Sequence, residues 1–152
     1  MSKTLKTAIP FIILVVFAGT SIAPLLSVNS MNEFTTEFGS TINLEAPLAT
    51  GTQLGTATRS YKDNTYSITL SANLNAPTEG SHYEGWIVRL SPFKTMSIGS
   101  LSEVEAGSWA ITYSETSPQT DYEEFSTIII TEEIGTQTPE IPNATHILEG
   151  TF

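Results

Sequence analysis

TYSITLSA, residues 65–72, alternates apolar and hydroxyl side chains without a break. A side-chain period of two puts Tyr66, Ile68 and Leu70 on one face of an extended chain and Ser67, Thr69 and Ser71 on the other, which predicts a half-buried β-strand. The pattern recurs outward from this stretch. Residues 52–61 are Thr-rich and broken by Gly55, and read as an edge strand. Residues 86–90, WIVRL, read as a strand that Pro92 ends or marks as an edge. Residues 95–101 read as a short strand interrupted by Gly99. Residues 108–113 place Trp109, Ile111 and Tyr113 on one face. Residues 123–131, with Ile128, Ile129 and Ile130, are the most β-prone segment, and residues 146–152 close the chain with a last strand. Turn residues fill the gaps at 75–80, 105–107, 114–121 and 135–143. No window after residue 30 carries a helical stripe. Seven or eight short strands with regular turns predict an all-β fold, an antiparallel β-sandwich of the Ig-like kind, with a small barrel as the alternative.

Ahead of these strands lies the one long apolar run, residues 8–26 (AIPFIILVVFAGTSIAPLL). Lys3 and Lys6 precede it and no further Lys or Arg follows until Arg59, so the pattern orients the chain with its start in the cytosol and the remainder outside. Residues 1–30 read as a signal peptide or a signal anchor, a hydrophobic helix in either case. Ser21-Ile22-Ala23 and Val28-Asn29-Ser30 are the two candidate cleavage sites. Residues 31–47 read as a linker or lead-in strand, and 48–152 as the β-sandwich domain. The expected location is extracytoplasmic, secreted or held at the cell surface, with membrane contact only through the N-terminal segment.

Cysteine is absent, which excludes a disulfide framework, thiolate metal sites and a Cys nucleophile. Beyond residue 30, Arg59, Lys62, Arg89 and Lys94 stand against all sixteen acids, leaving −12. Such a surface repels nucleic acid, which needs basic patches. It favours solubility.

Three motifs in order resemble one family. Tyr83-Glu84-Gly85-Trp86-Ile87-Val88 is similar to the YEGWLV strand of the C-terminal extracellular domain of anti-sigma-K-factor-like proteins. Ser97-Ile98-Gly99-Ser100-Leu101 resembles a later strand of that domain. Ile130-Thr131-Glu132, Pro139, Pro142 and Ile147-Leu148-Glu149-Gly150 resemble its ending. The resemblance spans residues 64–150. It implies a β-sandwich sensor or interaction domain outside the membrane, with no catalytic residues to carry over. The family's cytosolic sigma-binding module has no counterpart in residues 1–7, so the expected role is that of a stand-alone module.

The candidate chemistry is sparse. Only His82 and His146 could serve a Ser-His-acid triad, and no nucleophile-elbow, P-loop or zinc-helix motif appears. Glu132 and Glu133 are adjacent, so in a strand they face apart. Asp121 and Glu123, two apart near a loop, are the metal candidates, suited to weak Ca²⁺ binding by oxygen ligands. Tyr83, Glu84 and Trp86 are the binding candidates. Trp86 and Trp109 offer either a carbohydrate platform or core packing. Asn143-Ala144-Thr145 is a glycosylation sequon on an expected loop. No cofactor is expected. The function expected is non-enzymatic protein–protein contact with an unknown protein partner or by self-association. The alternative is a structural subunit of a surface filament or coat, adding the Thr-rich stretch 33–58 to a neighbour's sheet.

Overall fold

The computed structural model describes residues 37–152 except Thr50. Residues 1–30, with their apolar run and the signal peptide or anchor helix expected there, lie outside the described residues. Among the described residues no helix is long and apolar enough to cross a membrane.

The described residues form nine strands: β1 (Phe38–Glu45), β2 (Gln53–Lys62), β3 (Thr65–Asn73), β4 (Ser81–Leu90), β5 (Phe93–Ser100), β6 (Ser102–Glu105), β7 (Ser108–Thr116), β8 (Thr127–Ile134) and β9 (His146–Thr151). They make one antiparallel sheet in the order β5-β4-β8-β9-β1-β2-β3-β7-β6. The all-β, antiparallel expectation holds. Two separate sheets do not form among the described residues: β9 and β1 join at Glu45↔Glu149, so a four-strand half (β5-β4-β8-β9) and a five-strand half (β1-β2-β3-β7-β6) are one sheet, rolled nearly closed into a barrel.

Closure follows from chain connectivity. β5 and β6 are the two edges of the sheet, and Leu101 alone separates them in sequence. In a flat nine-stranded sheet those edges would stand about 38 Å apart, whereas one extended residue spans about 3.5 Å. The sheet must therefore curl until its edges meet. Leu101 is buried in the core and donates its N–H to the Tyr83 carbonyl at 2.8 Å. Gly99, at φ 110°, fits there because a Cβ would lie 2.9 Å from Ile111 of β7.

The core draws on both halves: Leu44, Ala57, Tyr66, Ile68, Leu70 and Ala72 face Tyr83, Ile87, Ile98, Ile128, Ile130 and Leu148. β3 buries Tyr66, Ile68, Leu70 and Ala72 with exposed or half-exposed residues between them. β2, expected at an edge, lies inside the sheet, paired along its length with β1 and β3. β1 falls in the stretch 31–47 and lies between β9 and β2. Asp63 and Asn64 both take positive φ in the two-residue β2–β3 turn, a role Asn and Asp tolerate better than other side chains.

At the β9–β1 junction, a Cβ on Gly150 would meet the Asn43 carbonyl oxygen at 2.5 Å and Leu44 at 2.9 Å. Backbone cannot yield as a side-chain tip can. Gly150→Ala is expected to lose about 1–3 kcal/mol by overpacking. Gly39→Ala, whose nearest neighbour would be 3.8 Å away, should stay within about 1 kcal/mol of the parent, on the stabilising side. Urea unfolding midpoints compare the two, and equal midpoints would remove the close approach at Gly150.

Candidate functional site

The Tyr83–Trp86 segment lies on β4, and its side chains alternate between two environments. Tyr83, Gly85 and Ile87 face the core. A Cβ on Gly85 would lie 2.7 Å from Leu70 and 3.2 Å from Ile98, so glycine lets the facing side chains pack against the strand. Tyr83 packs edge-on to Trp109, with centroids 5.4 Å apart, and donates its hydroxyl to the Asn75 carbonyl at 3.1 Å. The Trp109 indole N–H donates to the Leu74 carbonyl at 3.2 Å. Together these two rings pin the β3–β4 crossing.

Glu84, Trp86 and Val88 point to the other face of the sheet and are nonetheless buried. Trp86 and Val88 pack with Ile129 in a small cluster separate from the main core. The Glu84 carboxylate is fully buried and carries its partners with it, as a buried charge must. Ser97 donates a hydroxyl to Oε1, and Ser100 donates to Oε2 at 2.8 Å. His82 Nε2 stands 3.4 Å from Glu84 Oε2, an ion-pair distance without hydrogen-bond alignment, while Nδ1 lies 2.7 Å from the Gly135 carbonyl. Both serines bond the carboxylate, whereas a Ser-His-acid triad places the serine on the imidazole.

From Trp86 a chain of hydrogen bonds leaves the strand. Its indole N–H donates to Thr131 Oγ1 at 2.9 Å, and Thr131 donates to Glu133 Oε1 at 2.5 Å. The same Glu133 oxygen accepts the Asn143 backbone N–H at 2.7 Å. The most distinctive motif is thereby tied to the loop that bears the sequon. Glu132 turns the opposite way. The Thr78 hydroxyl and N–H hold its carboxyl below the ordinary carboxylate range, the N–H donating to Oε1 at 2.7 Å.

The metal candidates occupy the β7–β8 connection. Asp121 Oδ1 accepts the Glu123 N–H at 3.2 Å and caps a single 3-10 turn, Tyr122–Glu124. Among the described residues no group of three or more His, Cys, Asp or Glu is arranged to hold a metal ion. His146 Nδ1 lies 2.9 Å from Glu149 Oε2.

Sequence reasoning missed the cluster that fills the opposite end of the barrel. Tyr122 stacks on Tyr66 at 4.0 Å and 9°. The hydroxyls of Tyr113 and Tyr122 lie 3.0 Å apart, and both donate to Glu115 Oε2. Arg59 sits 4.1 Å over the Phe152 ring and 5.4 Å over Phe38, and donates to the Phe125 carbonyl at 3.0 Å. These residues come from β1, β2, β3, β7, the 3-10 turn and the C-terminus, so no local spacing announces them. Burial pushes the Tyr66 hydroxyl up to about 12. Burial first, and then hydrogen bonding to Glu115, pushes Tyr122 higher still. The Tyr66 hydroxyl has no hydrogen-bond partner among the described residues.

No family model matches the chain, and no curated protein or solved structure matches it.

A tyrosine raised from about 10 in the unfolded chain to about 12 in the fold favours folding fully below pH about 10. That contribution is lost as pH rises toward 12. Stability should fall across this window, with the ionisation absorbance of Tyr66 and Tyr122 appearing only as the chain unfolds. Tyr66→Phe should delay the alkaline transition. At pH 7 it should cost nothing beyond about 1 kcal/mol, because the hydroxyl it removes is unpaired. Tyr122→Phe, which strips a donor from Glu115, should cost about 1–3 kcal/mol. Equal losses at pH 7 in the two variants would contradict the assignment.

Proposed function

We propose that the chain is a non-enzymatic, extracytoplasmic β-sheet module that works by protein–protein contact, like the sensor domain that the Tyr83–Val88 motif resembles. The immunoglobulin-like likeness belongs to this reading, as the facing of a four-strand and a five-strand half. The observation that carries it is the tip of the β4–β5 hairpin. Leu90 and Phe93 pair across the turn, 65% and 73% exposed. Arg89 and Lys94 pair beside them, half of the basic residues that follow residue 30. Exposed Leu90 and Phe93 beside the exposed Lys94, with Arg89 held by Glu124 and Phe125 underneath, make a concentrated contact point on a chain of net charge −10. Aromatic and arginine anchors dominate binding at such points. Tyr83, Glu84 and Trp86 are buried and serve this reading by building β4, so partner contact falls to the exposed tip.

A second reading, self-assembly by strand addition, is favoured by the seam of the barrel. Among the described residues the outer edge of β5 has no partner strand, and β6 covers β7 only from Ser108 to Ala110. Unpaired edges are templates for another strand. β2 is paired on both sides, whereas β1 meets β9 only at Glu45↔Glu149, so within the stretch 33–58 the described residue positions left for addition lie on β1, in addition to the seam.

A photo-crosslinking residue at Phe93, in intact cells, tests both. The protein-contact reading expects one discrete adduct with a different protein, lost on adding Leu90→Asp. An adduct containing only this chain would favour self-assembly. The same faint adducts as from a probe at the exposed Thr138 would overturn the first reading.

A further inference from the structure

We infer that Asn143 is an N-glycan acceptor site in the folded protein, and that the reducing-end sugar seats in the hollow beside it, over Ile134 and Ile147. The inference rests on the extracytoplasmic placement proposed above, since sugar donors of this kind act outside the cytosol.

The acceptor is unusually well presented. Asn143-Ala144-Thr145 has the required hydroxyl two residues on and no proline between. Asn143 is exposed, yet its position is fixed at three points. Its backbone N–H is held by Glu133 at 2.7 Å, its Oδ1 accepts the Thr145 N–H at 3.0 Å, and its Nδ2 donates to the Glu132 carbonyl at 3.2 Å. The Glu133 bond belongs to the chain that begins at Trp86, so the acceptor loop is anchored to β4 and β8. The side-chain amide has two N–H groups and spends one on Glu132. The other is left to be replaced by a sugar carbon without breaking a contact.

A hollow of about 300 Å³ opens beside this amide, lined by the polar Thr78, Ser81, Glu132 and Thr145 and by the apolar Ile134 and Ile147. Ile134 ends β8 87% exposed, among the least covered large apolar side chains of the described residues. A hexose ring has one face of C–H groups and a rim of hydroxyls. In this hollow the C–H face covers Ile134 and the rim meets Thr78, Ser81, Thr145 and the Glu132 carboxylate. One ring therefore matches both halves of the lining, and it covers apolar surface that otherwise faces water.

The step balances with a polyisoprenyl-pyrophosphate-linked oligosaccharide as donor and an oligosaccharyltransferase as catalyst. Asn143 Nδ2 forms a bond to the sugar C1 and gives up one proton. The bond from C1 to the pyrophosphate oxygen breaks, and the pyrophosphate leaves with the electron pair.

The test uses the purified full chain, folded in detergent, with a purified single-subunit oligosaccharyltransferase of N-x-S/T specificity and its lipid-linked donor, so that export plays no part. Failure here would refute the acceptor site, while failure of the Phe93 adduct would refute the contact reading. Intact-mass and peptide measurements are expected to show one glycan on Asn143, retained in Thr145→Ser and absent from Asn143→Gln and Thr145→Val. Amide exchange across residues 134–147 is expected to slow at least severalfold in the glycosylated chain. No mass gain, or gain only after heat denaturation, overturns the acceptor site. Gain with unchanged exchange overturns the seat.

Discussion

A single residue governs the architecture. Leu101 joins the two edges of a nine-stranded sheet, and a chain that crosses from one edge to the other in one residue leaves the sheet no open form. The curl brings the four-strand and five-strand halves face to face. It places Leu101 in the core they share and brings β5 and β7 together at Gly99 and Ile111. Burial of apolar area supplies the driving force, but chain continuity decides which surfaces meet.

The two ends of the barrel differ in consequence. One end is filled by Tyr66, Tyr113, Tyr122 and Phe125, with Arg59 between the rings of Phe38 and Phe152. Its polar atoms are largely spent on one another, around Glu115. At the other end the long β3–β4 and β8–β9 connections meet, and Gly135 donates its N–H to the Gly80 carbonyl at 2.7 Å. That end holds the hollow, the sequon and the exposed Ile134. A rigid sheet thus carries a packed end, where Arg89 and Lys94 of the β4–β5 hairpin lie over Phe125, and an end whose loops are held in place and remain accessible, as loops on a rigid scaffold are.

Much of the secondary structure was legible because it rests on period-two alternation. β3 is the clearest case: Tyr66, Ile68, Leu70 and Ala72 are buried as the pattern requires. β1 was less legible because FGSTINLE buries only Leu44 fully, and pairing rather than composition places it. Trp86 shows the limit of alternation. It is buried, but on the face away from the main core, where Val88, Ile129 and a hydrogen bond to Thr131 enclose it. Asp121 and Glu123, two apart as a weak cation site could use them, are instead linked by a helix cap in which the Asp121 carboxylate accepts the Glu123 backbone N–H. Side-chain type cannot distinguish a carboxylate that awaits a ligand from one that already accepts a backbone N–H.

The sequence by itself determined the all-β class, most strand positions and the absence of cysteine chemistry, because these follow from local alternation, turn residues and composition. Only the tertiary structure decided that the sheet is one rolled surface, that Glu84 is enclosed by Ser97, Ser100 and His82, and that Asn143 sits beside a partly apolar hollow. Each of these depends on residues distant in the chain, brought together by strand order and register. Neither order nor register is written in any local stretch, since the same alternation fits several pairings and the choice among them is made by the closure of the whole sheet.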